Sequence, residues 1–384
     1  MADSDLGLMC RSLTKFFGMK YRNKHSILMI CLGILIWIDY INLFFNFIRS
    51  IDADIDEDCF LLEMGCVFFG KRVRVVGDLL MISYRTILFL MYNRWYLDDQ
   101  QWLRMVNLHY DELVKEDIHL PLETVEKTVR KAFTITITVI ILFNVSYFLI
   151  QNSQIYDRLL THLYISLSTY LSGFFLTLPF ILNDICASLL RQYYQRFHLH
   201  LTEGSLKPQF VQTFWNLYLM IQYAKVFLKE SYMIVVGCLF ASVLEIYYFA
   251  FYSDIHPVKR YICAILLFLI IQNIISFSVV FGQIDHEANA LSDLAYEYVN
   301  VRRFHNVESN YKNNMQPKVG YAGYSKLPEM IDCLNQTLGV EVMNTPINAA
   351  TIIKFISAFF SIVALMFQHG DPNVLIDITK SEKQ

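Results

Sequence analysis

The sequence predicts an all-α membrane protein with seven transmembrane helices, a cytoplasmic N-terminus and an extracellular C-terminus. Three observations lead to this prediction. Hydrophobic residues make up 55% of the 384-residue chain, whereas charged residues make up only 17%. The apolar residues form blocks of about 20, which is the helix length needed to cross a hydrocarbon core of roughly 30 Å. The polar segments between these blocks differ in their Lys and Arg content, which orients a membrane protein.

Seven apolar blocks are long enough to span a bilayer. Residues 1–25 are polar and basic, and the block after them is long enough to span and remain, so no cleavable signal peptide is expected. The second span is the weakest because Asp78 and Arg85 interrupt it; an alternative starts it near Phe60. The predicted spans are 26–48, 75–92, 133–151, 159–182, 232–252, 261–281 and 346–368.

The distribution of positive charge gives the orientation. The inner segments 1–25, 93–132, 191–231 and 282–345 hold 21 of the 32 Lys and Arg residues. The outer segments hold 6, and the first of them, 49–59, has five acids against one arginine. Because cytoplasmic loops are enriched in Lys and Arg, this asymmetry predicts an inside N-terminus.

The inner segments are expected to continue the spans as helices. Residues 209–232 carry apolar side chains at three- and four-residue spacing, which is typical of an amphipathic helix packed against its neighbours. The expected architecture is therefore one seven-helix membrane domain, residues 1–384, whose cytoplasmic helical extensions form an anchor region.

The last predicted helix has two chemically different faces. Thr345 and Pro346 are typical of a helix start, with Thr as the N-cap and Pro at the first helical position. At 100° per residue, one arc of about 140° is small or polar throughout, and the rest is bulky and apolar. The first arc holds Thr351, Lys354, Ser357, Ala358, Ser361, Ala364, Leu365 and Gln368.

A lysine in this helix needs water or a partner, because a charge at a helix centre costs roughly 2.5–3.5 kcal/mol in lipid. The other acids inside spans are Asp39, Asp78 and Glu245, so a structural ion pair and a water-facing position both stay open for Lys354. If several copies of the helix surround an axis, the polar face would line a water path that Leu365 could narrow.

The end of this helix resembles that of the insect gustatory receptors, which share a superfamily with the insect odorant receptors. The family pattern is Thr-Tyr, five apolar residues, then Gln-Phe; here Ser361-Ile362 and five apolar residues precede Gln368-His369. Ser, Ile and His thus replace Thr, Tyr and Phe, while the length and topology of the whole chain also fit. Val363 stands where the sugar-receptor branch often carries Glu, which argues against a sugar receptor.

The resemblance implies a ligand-gated non-selective cation channel in the plasma membrane, opened by a small-molecule tastant. It implies a homo- or hetero-tetramer with other receptor subunits, with Gln368 lining the pore near its outer mouth and Leu365 forming a hydrophobic gate. Ser361 and Lys354 share that pore-facing arc. An odorant receptor of the same superfamily is the alternative. The ligand itself stays open.

Ligands of this family enter a pocket that opens outward among the other spans. An aromatic wall with a few polar groups suits a small molecule. Three of the candidates, Glu245, Tyr248 and Tyr252, have the spacing of one helix face. The candidate ligand-binding residues are Asn144, Tyr147, Tyr170, Glu245, Tyr248, Tyr252 and Gln272.

Other function classes fit less well. A G-protein-coupled receptor, with its N-terminus outside, conflicts with the charge asymmetry, and the sequence has no Asp-Arg-Tyr triplet after span three. The sequence contains no HExxH motif and no glycine-rich phosphate loop. We therefore expect no enzyme activity, no cofactor or metal and no nucleic-acid partner, with membrane lipid as the surroundings.

Overall fold

The structure is a computed structural model in which the described residues are almost entirely helical. The described residues are 15–17, 27–52, 74–97, 109–110, 113–119, 122–150, 155–203, 208–252, 271, 274–312, 327–335, 338, 340–342, 345–347 and six positions between 350 and 361.

Seven helices with defined bounds and one small hairpin make up most of the described fold. The hairpin pairs β1 (Glu341–Val342) with β2 (Thr345–Pro346) in antiparallel register. Residues 350, 351, 353, 354, 357 and 361 are helical and belong to the last helix. The seven helices are α1 (Ile27–Asp52), α2 (Arg74–Tyr92, continued by a π-helical turn at Asn93–Leu97), α3 (Leu122–Ile150), α4 (Ile155–Thr202), α5 (Pro208–Tyr252), α6 (Gln283–Lys312) and α7 (Leu327–Asn335).

Helix α4 is the centre of the packing. It contacts α2, α3, α5 and α6 along its length, while α1 packs mainly on α2 and α2 packs on α5. Its buried residues include Phe174, Phe175, Leu182 and Tyr193, so the core follows α4 along at least five turns. Such an arrangement places polar side chains of α4 between two or three neighbouring helices, where they can form clusters.

Two of the described helices, Ile30–Ile51 and His162–Thr202, are long and apolar enough to cross a membrane. Only 22% of the apolar stretch in α1 is buried inside the protein, against 72% in α4. The uncovered face of α1 includes Ile38 and Phe45, which are 57% and 65% exposed. An apolar face of this size is typical of a surface that contacts lipid or another protein. Seven spans remain a prediction, and spans six and seven fall largely outside the described residues.

The predicted continuation of the spans as helices is confirmed for two of them, since α4 and α5 each continue far beyond their apolar blocks, whereas the cytoplasmic location of these extensions stays a prediction. Residues 274–281 likewise run into α6, because the Gly282 amide donates to the Ser278 carbonyl at 3.1 Å and the His286 amide to the Gly282 carbonyl at 3.2 Å. These bonds have the i to i−4 spacing of an α-helix.

The predicted start of the last helix at Thr345-Pro346 is wrong. These two residues form β2, and the next amide, from Ile347, donates to the Val340 carbonyl at 2.8 Å. The physical reason lies in Pro346, whose ring disfavours the α conformation in the preceding residue and favours an extended one. The described helical residues of the last helix begin at Ala350.

Candidate functional site

The polar face of the last helix is not covered by the rest of the described chain. Lys354, Ser357 and Ser361 are all exposed, and the Ser361 hydroxyl donates to the Ser357 carbonyl at 2.8 Å. Because that bond runs back along the helix, the serine hydroxyl is already satisfied and also keeps lone pairs for water. The other two predicted pore residues, Leu365 and Gln368, lie outside the described residues.

The bulky face of the same helix is also open, since Ile353 is 63% exposed. The last helix is uncovered on a polar face and on an apolar face, and no single solvent is favourable for both. Water suits the side of Lys354 and Ser361, whereas lipid or protein suits the side of Ile353. In a single chain, the last helix therefore has the two-sided character expected of a helix at a boundary between water and an apolar phase.

One suggested partner of Lys354 pairs with a different cation. Asp39 of α1 forms an ion pair with Arg85 of α2, in which Nε lies 3.7 Å from Oδ2. Asp78 is fully buried in α2, and the side chain of Glu245 lies outside the described part of the chain. The ion pair that the sequence offered between Lys354 and Asp39 is therefore not formed.

A first polar cluster joins α1, α2 and α4. The Tyr164 hydroxyl donates to Oδ1 of Asp39, and the guanidinium of Arg85 lies 4.7 Å from the centre of the Tyr164 ring. Beside it, the Tyr40 and Thr86 hydroxyls are 3.2 Å apart. The arginine is thus held by a carboxylate and an aromatic face together, which is a favourable environment for a buried guanidinium.

A second polar cluster joins α3 to α4. The Asn144 side-chain carbonyl is 2.5 Å from Nδ1 of His162, and its amide donates to the Ser166 hydroxyl at 2.9 Å. The Ser166 hydroxyl in turn donates to the carbonyl of His162 at 2.7 Å. All three side chains are half-buried. Asn144, a predicted ligand residue, therefore lies in a small hydrogen-bonded network of amide, imidazole and hydroxyl groups.

Tyr170, another predicted ligand residue, lies elsewhere. Its hydroxyl donates to the carbonyl of Phe17 at 2.5 Å, and the two rings are 5.6 Å apart. Eight residues of α4, or about 12 Å along the helix axis, separate it from His162. The structure thus does not bring Tyr170 and Asn144 together. Tyr147, Glu245, Tyr248 and Tyr252 belong to α3 and α5 but their side chains are not described, and Gln272 lies outside the described residues.

A third cluster lies just before the last helix. A Cβ atom at Gly282 would be 3.2 Å from the carbonyl oxygen of Ile347, so the hairpin backbone rests directly on the helix that leads into α6. Lys225 of α5 pairs with Glu341 of β1 at 3.6 Å. Nearby, burial raises the pKa of the Asp285 carboxyl, an effect that a hydrogen bond from Asn289 partly opposes.

The sequence prediction missed His162, Ser166 and Tyr164 as members of these clusters. Polar residues at the alternate positions 162, 164 and 166 of a mainly apolar block were the available signal. On a helix, positions 162 and 166 share one face while 164 points elsewhere, which is why they serve two different clusters. The opposite charges of Asp39 and Arg85 in neighbouring spans were a second signal, because intramembrane charges usually pair.

The described clusters contain no obvious catalytic constellation, and no group of three or more His, Cys, Asp or Glu side chains within the described ranges is arranged to hold a metal ion. What they offer is hydrogen bonding and charge pairing between helices. Comparison of the chain with protein-family models and with curated proteins gives no match.

Proposed function

We propose that this chain is a multi-pass plasma-membrane chemoreceptor that acts as a ligand-gated non-selective cation channel, opened by a small-molecule tastant. Seven spans would place the N-terminus in the cytoplasm and the C-terminus outside. Several copies, as a homo- or hetero-tetramer with other receptor subunits, would surround a pore lined by the last helix. The resemblance of the last helix to that of insect gustatory receptors motivates the proposal.

The observation that carries it is the uncovered polar face of the last helix. Lys354, Ser357 and Ser361 lie on one face and are all exposed in the single chain. A buried or lipid-facing lysine would be costly, whereas a lysine on a water-filled axis keeps its hydration. Asp39, a carboxylate that could have neutralised Lys354 within the chain, is engaged by Arg85.

In this proposal the gate is a ring of Leu365 side chains. A narrow apolar ring expels water and so blocks ions, and a small outward rotation of the helices lets water return. Gln368 would supply uncharged oxygen and nitrogen atoms at the outer mouth, which suits passage without strong selectivity. The hairpin that rests on Gly282 joins the last helix to α5 and α6, so movements of those helices reach the gate through a short packed connection.

A topology measurement tests the membrane orientation on which the proposal depends. Asn335 starts the sequon Asn-Gln-Thr between the last two predicted spans, a segment that is cytoplasmic in this proposal. The protein is expressed in insect cells, and its gel mobility is compared with and without glycosidase. We expect Asn335 to stay unmodified, while a sequon added to a lengthened C-terminal tail is glycosylated.

The Asn335→Gln variant is the matched control, because it should migrate like the unchanged protein in both lanes. A glycan on Asn335 would put this segment outside, as in a G-protein-coupled receptor, and would contradict the channel topology. An unmodified tail sequon would contradict the extracellular C-terminus.

A further inference from the structure

A short segment near the N-terminus, Lys15–Phe17, docks between α3 and α4. Its three residues are helical, and the Phe17 side chain is only 2% exposed. The centre of the Phe17 ring lies 5.4 Å from that of Phe133 on α3 and 5.6 Å from that of Phe174 on α4. Both contacts are edge-to-face, which is a favourable geometry for aromatic pairs. One side chain of the segment therefore fills a gap between two helices.

The segment is also bound through its backbone and its charge. The Tyr170 hydroxyl on α4 donates to the Phe17 carbonyl at 2.5 Å. On the α3 side, Nζ of Lys15 donates to Oε1 of Glu126 at 2.9 Å. This hydrogen bond and the positive charge of Lys15 lower the pKa of the Glu126 carboxyl below its usual range. Each of the two helices thus has its own polar contact with the segment.

The charged contact is much more exposed than the aromatic one. The side chains of Lys15 and Glu126 are 63% and 36% exposed, and Glu126 also accepts a hydrogen bond from Arg130 at 3.3 Å. An exposed ion pair of this kind stabilises little, so burial of the Phe17 ring supplies most of the attraction. Docking also costs the chain freedom of the residues that it orders. A segment held mainly by one buried ring can therefore be released while the helices around it stay folded.

The segment contacts the same pair of helices that carries the candidate ligand network. Asn144 lies 11 residues beyond Phe133 on α3, or about 16 Å along the helix axis, and its hydrogen bonds join α3 to α4. Between these two points, the helices approach closely at Thr136 and Gly173. A movement of α3 away from α4 at one point would therefore change the fit at the other.

We propose that the gap between α3 and α4 is a reversible docking site for the Lys15–Phe17 segment, and that the docked segment is a clamp that holds the two helices together. In the receptor of the proposed function, on which only this step rests, a ligand that separates α3 from α4 must release the clamp. Docking and the binding of such a ligand then oppose each other, and an undocked segment raises the affinity for the ligand by the same factor.

Tryptic cleavage after Lys15 measures how often the segment undocks, because a protease cuts the released chain and not the docked one. The purified full-length protein is digested briefly, and the cut after Lys15 is quantified by mass spectrometry. Each rate is divided by that of a synthetic peptide of the same sequence, which corrects for the preference of the protease. We expect the unchanged protein to be cut more than about tenfold more slowly than its peptide, as burial of one aromatic ring allows.

Three variants weaken the three contacts separately. Glu126→Gln removes the ion pair and should speed the cut by up to about fivefold. Tyr170→Phe removes one hydrogen bond and should speed it by about two- to tenfold. Phe17→Ala removes the buried ring and should speed it by more than about tenfold. Phe17→Ala should also increase hydrogen exchange of the α3 amides around Phe133, while the α5 amides around Phe214 keep their protection, which separates release of the clamp from a failure to fold.

Glu123→Gln is the control variant, because it removes an exposed carboxylate one turn before Glu126 on α3. It should change the rate by less than about twofold. Cleavage of the unchanged protein as fast as its peptide would show that the segment is not docked. Unchanged exchange of α3 in Phe17→Ala would show that the segment is not a clamp, and either result would overturn the proposal. Neither measurement uses a ligand or an ion current, so failure of the clamp is distinguished from failure of the channel proposal.

Discussion

Nε of Arg85 on α2 lies 3.7 Å from Oδ2 of Asp39 on α1, and Tyr164 of α4 donates its hydroxyl to the same carboxylate. The arginine is 5% exposed and the aspartate 15%, so the two charges neutralise each other away from bulk water. The ion pair thus connects α1 to α2, and the Tyr164 hydroxyl connects the same carboxylate to the central helix, α4. Removing either partner leaves a buried charge without its counterion.

Asp39→Asn is expected to lower the stability of the detergent-solubilised protein by about 3–5 kcal/mol, the usual loss when one partner of a buried pair is removed. Thermal unfolding followed by size-exclusion chromatography measures it. The double variant Asp39→Asn with Arg85→Gln should lose less than the sum of the two single variants, because no uncompensated charge remains. Arg196→Gln, in an exposed pair with Asp117, is the control and should cost about 1 kcal/mol or less. Unchanged melting of Asp39→Asn would contradict this account.

Gly173 allows α3 and α4 to approach closely. A Cβ atom there would lie 2.9 Å from Cβ of Thr136 and 2.6 Å from its methyl carbon. Gly173→Ala should therefore destabilise the protein by about 1–3 kcal/mol, the usual range for overpacking. Gly237 is a matched control on α5, since no described atom lies within 4 Å of its added Cβ.

Gly237→Ala should be neutral or slightly stabilising, because alanine favours a helix more than glycine does. Thr136→Ala should restore part of the stability of the Gly173→Ala variant, since it removes the hydroxyl oxygen and the methyl carbon that the new methyl group meets and leaves only Cβ at 2.9 Å. Equal melting temperatures for Gly173→Ala and Gly237→Ala would show that the α3–α4 contact is not tight.

The buried environment of Asp285 predicts that the stability of the folded protein depends on pH. Burial raises the pKa of its carboxyl above the ordinary value of 3.8, an effect that Asn289 and Lys225 partly oppose and Glu341 reinforces. Folding therefore favours the protonated form. This contribution is fully present below pH 3.8, and it is lost as the pH rises through the raised folded-state pKa.

Asp285→Asn should remove that dependence. Relative to the variant, the unchanged protein should lose stability as the pH is raised above 3.8, with a plateau once the carboxylate is fully ionised. Melting temperatures collected from pH 4 to pH 7 for both proteins give the difference. A difference that does not change with pH, or one that changes in the opposite direction, would contradict the environment described for Asp285.

The sequence predicted the helices better than their contacts. Hydropathy located α1 and α2 to within a few residues, and the spacing of apolar residues in 209–232 predicted the helical extension of α5 because burial follows helical periodicity. It could not predict that Asp39 pairs with Arg85 and not with Lys354, since the partner depends on how α1 and α2 are rotated and aligned. Thr345-Pro346 was misassigned because the same dipeptide suits a helix start and an extended strand, and pairing with Glu341–Val342 decided between them. Leu365 and Gln368 lie outside the described residues, so their roles stay predictions.

The measurement that tests the central claim most directly is the current carried by a protein with a weakened gate. Leu365→Ala would widen the proposed apolar ring and make it easier to wet. Membrane currents are recorded without ligand in cells that express the unchanged protein, Leu365→Ala or Ile353→Ala, where Ile353 lies on the opposite, bulky face. We predict a standing cation current from Leu365→Ala alone, with surface expression equal in all three. Silent Leu365→Ala cells at equal surface expression, or the same current from Ile353→Ala, would contradict a pore lined by the polar face of the last helix.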